Sequence, residues 1–310
     1  GLFCYGCRRP SLPAPGAMQN AIDKLRRLWH LKSKTLRQRL AGAPGGAKQT
    51  VFVAGVQRSG TNMVMDILEQ SWQTEVFHEF DARAFDTYMM RPPAVIRGLI
   101  DASPAPWVIV KALHEGHDLT GLLDRYRPAR AIWMYRGFDD MVNSNMANWP
   151  GGRNRIEDIV AANAQGHAQG QDSPRGQDDA RERAGWRGRG MTAATRATVR
   201  AHYRPAMNDA SALGLFWFYR NQLFFDQGFE ADRRVALVRY ESLVGDPARE
   251  VDTIARFLGL RPTEPMRRLI TPGSVAKRPP PEIEPDVRRL CQEMLARLDA
   301  VHQAGQPDGQ

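Results

Sequence analysis

The run Val51-Phe-Val-Ala-Gly-Val56 constrains this chain more than any other segment. It leads straight into Gln57-Arg-Ser-Gly-Thr-Asn62 and then into helical spacing. An unbroken apolar run of this length fits a strand covered on both faces, as in a parallel sheet. Val64, Ile67, Leu68 and Ser71 then fall along one face of a helix expected over Thr61–Trp72. A strand, a tight loop and a helix in that order bring the unpaired N–H groups of the helix N-terminus, with the positive end of the helix dipole, to the loop. Gly60 lets the backbone approach an anion closely. Thr61 and Asn62 add side-chain donors beside Ser59, and Arg58 adds a planar fork suited to phosphate or sulfate oxygens. Val51–Leu68 therefore reads as a binding unit for a phosphorylated nucleotide.

Further buried strands are expected over Trp107–Leu113, Ala131–Tyr135 and Val235–Tyr240. They alternate with helices over Leu119–Tyr126, Asp139–Trp149, Pro247–Leu258 and Val287–Val301. The helix from Pro247 carries Asp246 as its cap, Pro247 at its first position and Gly259 as its stop. This alternation predicts a three-layer α/β/α fold with a central, mainly parallel sheet, of the P-loop NTPase-like kind. Ala212–Phe225 is strongly apolar and is expected as a buried helix, the alternative being a share in an acceptor pocket. Lys111 interrupts an otherwise apolar strand. Near a strand's C-terminal end it can reach the crevice where open α/β sheets bind ligands.

A formal net charge of +9 suits anionic ligands. Much of the excess lies in Arg8–Lys48 and Arg181–Arg204, outside the strand–loop core, so no nucleic-acid role is expected. Cys4 and Cys7 form a lone CxxC without the further ligands that structural zinc needs, and no metal-ligand cluster is evident. Three cysteines make no disulfide framework, and no uncharged apolar run is long enough to span a bilayer, so a cytoplasmic protein is expected. Residues 1–17 read as a disordered tail, 18–46 as a basic amphipathic helix and linker, 47–302 as the catalytic domain with a mobile loop over 151–195, and 303–310 as a tail. The helix over Met18–Leu40 is expected to dock on the core; the alternative is peripheral contact with a membrane.

The spacing of Gly55 and Gly60 imitates the opening of a Walker A loop, but position 61 is Thr where that motif carries its Lys. A basic residue followed by Ser-Gly-Thr after a buried strand instead resembles the 5′-phosphosulfate loop of sulfotransferases that use 3′-phosphoadenosine 5′-phosphosulfate. Arg136 at the end of a strand and Ser144 eight positions later on the next helix match the pair that holds the donor's 3′-phosphate in that family. An ion pair with Asp139 or Asp140 is the alternative role for Arg136. Phe138 stands where the family often has Pro. Val238–Val244, with Arg239 and Tyr240, looks like the family's late strand–turn–helix unit, and Gly273–Arg278, with Lys277 and Arg278, like its C-terminal basic loop near the nucleotide.

The resemblance spans roughly Val51–Val301 and is weakest between Pro150 and Leu213. It implies sulfuryl transfer to an acceptor hydroxyl of a carbohydrate, lipid or small metabolite, with the nucleotide as donor and no metal. It also implies a base shortly after the first helix: Glu79 first, His78 second. His114 is an alternative base or acceptor contact, or a structural histidine. Lys111 is expected to stabilise the donor or leaving group. The competing readings are a P-loop kinase or related phosphotransferase, and a catalytically silent nucleotide-binding protein.

Overall fold

The computed structural model describes residues 29–40, 48–148, 156–157, 159–160, 188–270 and 275–305. The strands are β1 (Gln49–Gly55), β2 (Thr74–Phe77), β3 (Phe85–Asp86), β4 (Met89–Met90), β5 (Trp107–Lys111), β6 (Ala129–Tyr135) and β7 (Val235–Arg239). The helices are α1 over 29–40, α2 (Thr61–Glu69), α3 (Pro93–Ala102), α4 (Leu119–Arg125), α5 (Phe138–Asn148), α6 (Ala193–His202), α7 (Asp209–Asp226), α8 (Tyr240–Gly245), α9 (Pro247–Leu258), α10 (Glu264–Arg268) and α11 (Pro285–Gly305).

Five strands form one parallel sheet in the order β2-β5-β1-β6-β7. β1 lies at its centre because both its faces are apolar. Phe52 and Ala54 enter one core with Tyr126, Trp133 and the apolar side of α7. Val51 and Val53 enter the other with Val64 and Leu68 of α2 and Val251 and Ile254 of α9. Each fully buried Phe or Val contributes about 1.5–3 kcal/mol, so alternation within β1 fastens a helical layer to each face. The three-layer α/β fold expected from the sequence is the one observed. α9 starts with the Asp246 carboxylate accepting the Arg249 N–H at 3.2 Å and stops at Gly259 with φ 77°.

Several elements differ from expectation. β5 ends at Lys111 and β7 at Arg239, with Tyr240 opening a short helix. β2 and α3 occupy a stretch where no element was expected. The end of the expected 151–195 loop is helical, since α6 begins at Ala193, and the final helix runs through Gly305 into the expected tail. The rest of that loop lies outside the described residues apart from 156–157, 159–160 and 188–192, as do residues 1–28 and 41–47. No helix among the described residues is long and apolar enough to cross a membrane.

Candidate active site

β5 and β6 flank β1, so their C-terminal ends and the β1–α2 loop open on one crevice. The loop is tight. Ser59 N donates to Val56 O at 3.2 Å, and Arg58 adopts a left-handed φ of 68°, which costs a residue with a Cβ about 1–2 kcal/mol. Gly60 is also left-handed, at φ 90°, and a Cβ there would lie 2.4 Å from Cδ2 of Tyr240. The Tyr240 ring is buried and cannot yield cheaply. Gly60→Ala is therefore expected to lose about 1–3 kcal/mol of stability and to weaken nucleotide binding, read by denaturant melts and ligand-induced thermal shifts. The first turn of α2 carries no acidic side chain, so no carboxylate of that turn offsets the positive end of its dipole. The buried Ser59 hydroxyl has no hydrogen-bond partner among the described residues. An anionic oxygen in the loop would satisfy it.

The register of the sheet sets Lys111 opposite Val53. Its Nζ lies 2.8 Å from Glu79 Oε2 and donates to Asn62 Oδ1 at 2.5 Å. The start of α2, β5 and the segment after β2 thus meet at one ammonium group. Burial pushes Lys111 below its ordinary pKa, and the carboxylates of Glu79 and Asp66 partly restore it. Thr61 occupies the Walker lysine position, yet a lysine still reaches the loop from the neighbouring strand.

His114 lies near enough for Glu79 and Lys111 to act on it. Desolvation lowers its pKa to about 4; Glu79 opposes this, and Arg220 and Lys111 reinforce it. The imidazole is accordingly neutral near pH 7. The unfolded chain protonates this group near 6.5, so the native state loses stability as pH falls from about 6.5 to about 4. Neighbouring Glu115 is shifted up by its own burial and works in the opposite direction, so the check is a comparison. Between pH 6.5 and 4 the parent should lose on the order of 3 kcal/mol relative to His114→Gln, measured by urea melts across that range.

On the other side of the loop, Arg58 Nε donates to Ser144 Oγ at 2.9 Å. Arg136 Nη1 lies 3.5 Å from the Arg58 carbonyl oxygen. The Arg136 guanidinium stands 4.3 Å over the Tyr240 ring, and its Nη2 is 3.2 Å from Asp140 Oδ2. The ion pair weighed as an alternative role is therefore present alongside the approach to the loop. Asp139 pairs instead with Arg288 at 3.1 Å. Asp140 also accepts the Ala276 N–H at 3.0 Å, and Asn143 donates to Pro279 O at 3.0 Å. These bonds clip the segment bearing Lys277 and Arg278 to α5, with both residues exposed. Gly273 and Ser274 of that stretch lie outside the described residues.

Two expected residues turn elsewhere. Arg239 is held by Glu241 and Asp299, each at 3.3 Å. His78 is buried with its Nε2 3.3 Å from Glu69 Oε1 and 3.9 Å from Asp66 Oδ1. With these carboxylates on α2 it forms a group whose ligand atoms lie within 4.8 Å of one another. The sequence showed no metal-ligand cluster; the fold assembles one donor set that suits a divalent cation, because α2 and the end of β2 converge. The sequence reading also passed over Glu115 and Arg220. Arg220 is fully buried in α7, donates to Leu113 O at 2.9 Å and acts on Glu115 and His114. The signal was a lone Arg inside the apolar run Ala212–Phe225.

A parallel α/β sheet brings cations from β5 and the end of β6 to its first loop. The sulfotransferase domain family model matches residues 48–277, and the chain belongs to that family; it is a transferase. Among solved structures, the sulfotransferase domain from the Synechococcus PCC 7002 olefin synthase is 13% identical, covering 86% of this chain and 98% of its own with a TM-score of 0.44. The sulfotransferase from Alicyclobacillus acidocaldarius is 17% identical, covering 84% and 96% with a TM-score of 0.42. No curated protein sequence matched the chain.

Proposed function

We propose that this sulfotransferase takes its sulfuryl group from 3′-phosphoadenosine 5′-phosphosulfate and delivers it to an acceptor hydroxyl. The observation that carries this reading is the meeting of Arg58, Ser144 and Arg136, contributed by the loop, α5 and the end of β6. A nucleotide phosphorylated at both its 3′ and 5′ ends needs two cationic stations, whereas an ATP-dependent enzyme needs only the loop. The donor set supports the same ligand: helix N–H groups, Asn62, the buried Ser59 hydroxyl and Lys111 for the 5′ end, and Arg136 with Ser144 for the 3′ end.

The donor supplies an activated sulfur–oxygen bond. Glu79 takes the acceptor's proton as the acceptor oxygen bonds to sulfur. The bond from sulfur to the bridging oxygen breaks, and 3′-phosphoadenosine 5′-phosphate leaves. Lys111 orients the Glu79 carboxylate at 2.8 Å. When that carboxylate accepts a proton its charge disappears, and the Lys111 ammonium is released toward the oxygen where negative charge develops. Arg58 and the α2 N-terminus stabilise the same oxygen. His114 is the alternative base.

Thermal shift with two ligands tests the donor. 3′-Phosphoadenosine 5′-phosphate, without magnesium, is expected to stabilise the protein by about 2.7 kcal/mol at roughly 100-fold over its Kd. Mg-ATP at the same concentration should give a much smaller shift. Equal or greater stabilisation by Mg-ATP would favour the phosphotransferase reading instead.

A further inference from the structure

Helix α1 has its polarity inverted. The side toward the domain is anchored by polar groups: Lys34 and Gln38 are each 5% exposed, with Leu31 partly covered beside them. Lys34 Nζ donates to Glu69 O at 2.7 Å and to Thr74 Oγ1 at 3.0 Å. Gln38 Nε2 donates to Trp72 O at 2.7 Å and to Thr74 O at 2.9 Å. The side toward solvent is apolar: Trp29, Leu36 and Leu40 are 75%, 59% and 78% exposed. Their spacings of seven and four residues place them on one stripe. Exposed Lys32 and Arg39 border that stripe on one flank and exposed Arg37 on the other.

A surface helix ordinarily buries its apolar face and wets its polar one. Here the hydrogen bonds of Lys34 and Gln38 fix the rotation, so the helix cannot roll its stripe inward without stranding two buried donors. An apolar stripe carrying Trp and Leu between basic flanks is the pattern of helices that lie in the headgroup region of a bilayer. Residues 24–40 contain seven Lys and Arg and no Asp or Glu. That charge matches anionic headgroups, and it opposes self-association: a second copy docking through the same stripe would bring basic flanks against each other.

We propose that α1 docks the protein on an anionic lipid surface, with Trp29, Leu36 and Leu40 in the acyl boundary and Lys32, Arg37 and Arg39 among the headgroup phosphates. The proposal is independent of the identity of the sulfuryl donor.

The test is co-sedimentation of the full chain with phosphatidylcholine vesicles, with and without phosphatidylserine. Binding is expected only to the serine-containing vesicles and should weaken as salt rises. Leu36→Ser with Leu40→Ser should reduce partitioning by about tenfold or more without changing the melting temperature, because both side chains are already exposed. Brominated lipid should quench part of the tryptophan fluorescence, and Trp29→Phe should remove that part. Three results overturn the proposal: no binding to anionic vesicles, equal binding to neutral ones, or equal binding by the Leu36/Leu40 variant. A concentration-dependent mass in the absence of lipid, abolished by the same substitutions, would assign the stripe to a protein interface and overturn it as well.

Discussion

Arg136→Ala is expected to raise the Kd for 3′-phosphoadenosine 5′-phosphate about 10²-fold and to erase most of the thermal shift that this ligand produces. A guanidinium meeting a phosphate makes two charge-assisted hydrogen bonds, worth together about 3 kcal/mol, or roughly two orders of magnitude in Kd. The substitution also has a structural cost, since Arg136 is buried over Tyr240 and paired with Asp140. Ser144→Ala separates the two effects. That hydroxyl is half-buried and contacts Arg58, so its loss should leave the melting temperature nearly unchanged and weaken ligand binding by about fivefold, in line with one hydrogen bond. If Arg136→Ala lowers stability while leaving the Kd intact, Arg136 serves the Asp140 pair alone and the two-station reading fails.

Glu79→Gln is expected to lower kcat by about 10²–10⁴-fold, the usual worth of a positioned general base, with the donor Kd changed little. Gln still offers an oxygen to the Lys111 ammonium, 2.8 Å from the native carboxylate, so the buried lysine keeps a partner and the fold is retained. Single-turnover transfer to any accepted hydroxyl, beside a binding titration, reads the two effects separately. Undiminished transfer would remove Glu79 from the role and direct attention to His114, whose neutral imidazole can accept a proton at pH 7.

Much of the architecture was legible because the elements that carry it are self-declaring. β1, β5, β6 and β7 are apolar runs with few alternative uses, and α9 is bracketed by Asp246, Pro247 and Gly259. β2 was not legible: it is four residues long, half-covered and at the edge of the sheet, too short for its alternation to stand out. α3 and α6 do carry local signals that were not read: Pro93 opens α3, and the Thr192 hydroxyl caps α6 by accepting the Thr195 N–H at 3.1 Å. Within the site, the loop and the Arg136–Ser144 spacing could be read along the chain. The pairing of His78 with Glu69 and Asp66, and of Arg239 with Asp299, depends on neighbours on other elements, while Glu241 adds a local partner to Arg239.

The sequence by itself determined the strand and tight loop from Val51 to Asn62, the two-motif resemblance to sulfotransferases and the basic helix that ends at Leu40. Each rests on residues close together in the chain, within an element or across one junction, where local spacing carries the signal. Only the tertiary structure decided which side chains meet. Parallel pairing sets Val53 against Lys111, and this register returns to the loop the lysine that Thr61 lacks. Packing of α5 brings Ser144 to Arg58. Docking of α1 through Lys34 and Gln38 turns Trp29, Leu36 and Leu40 outward. Strand register and helix rotation are settled by contacts between distant segments, and no local periodicity contains them.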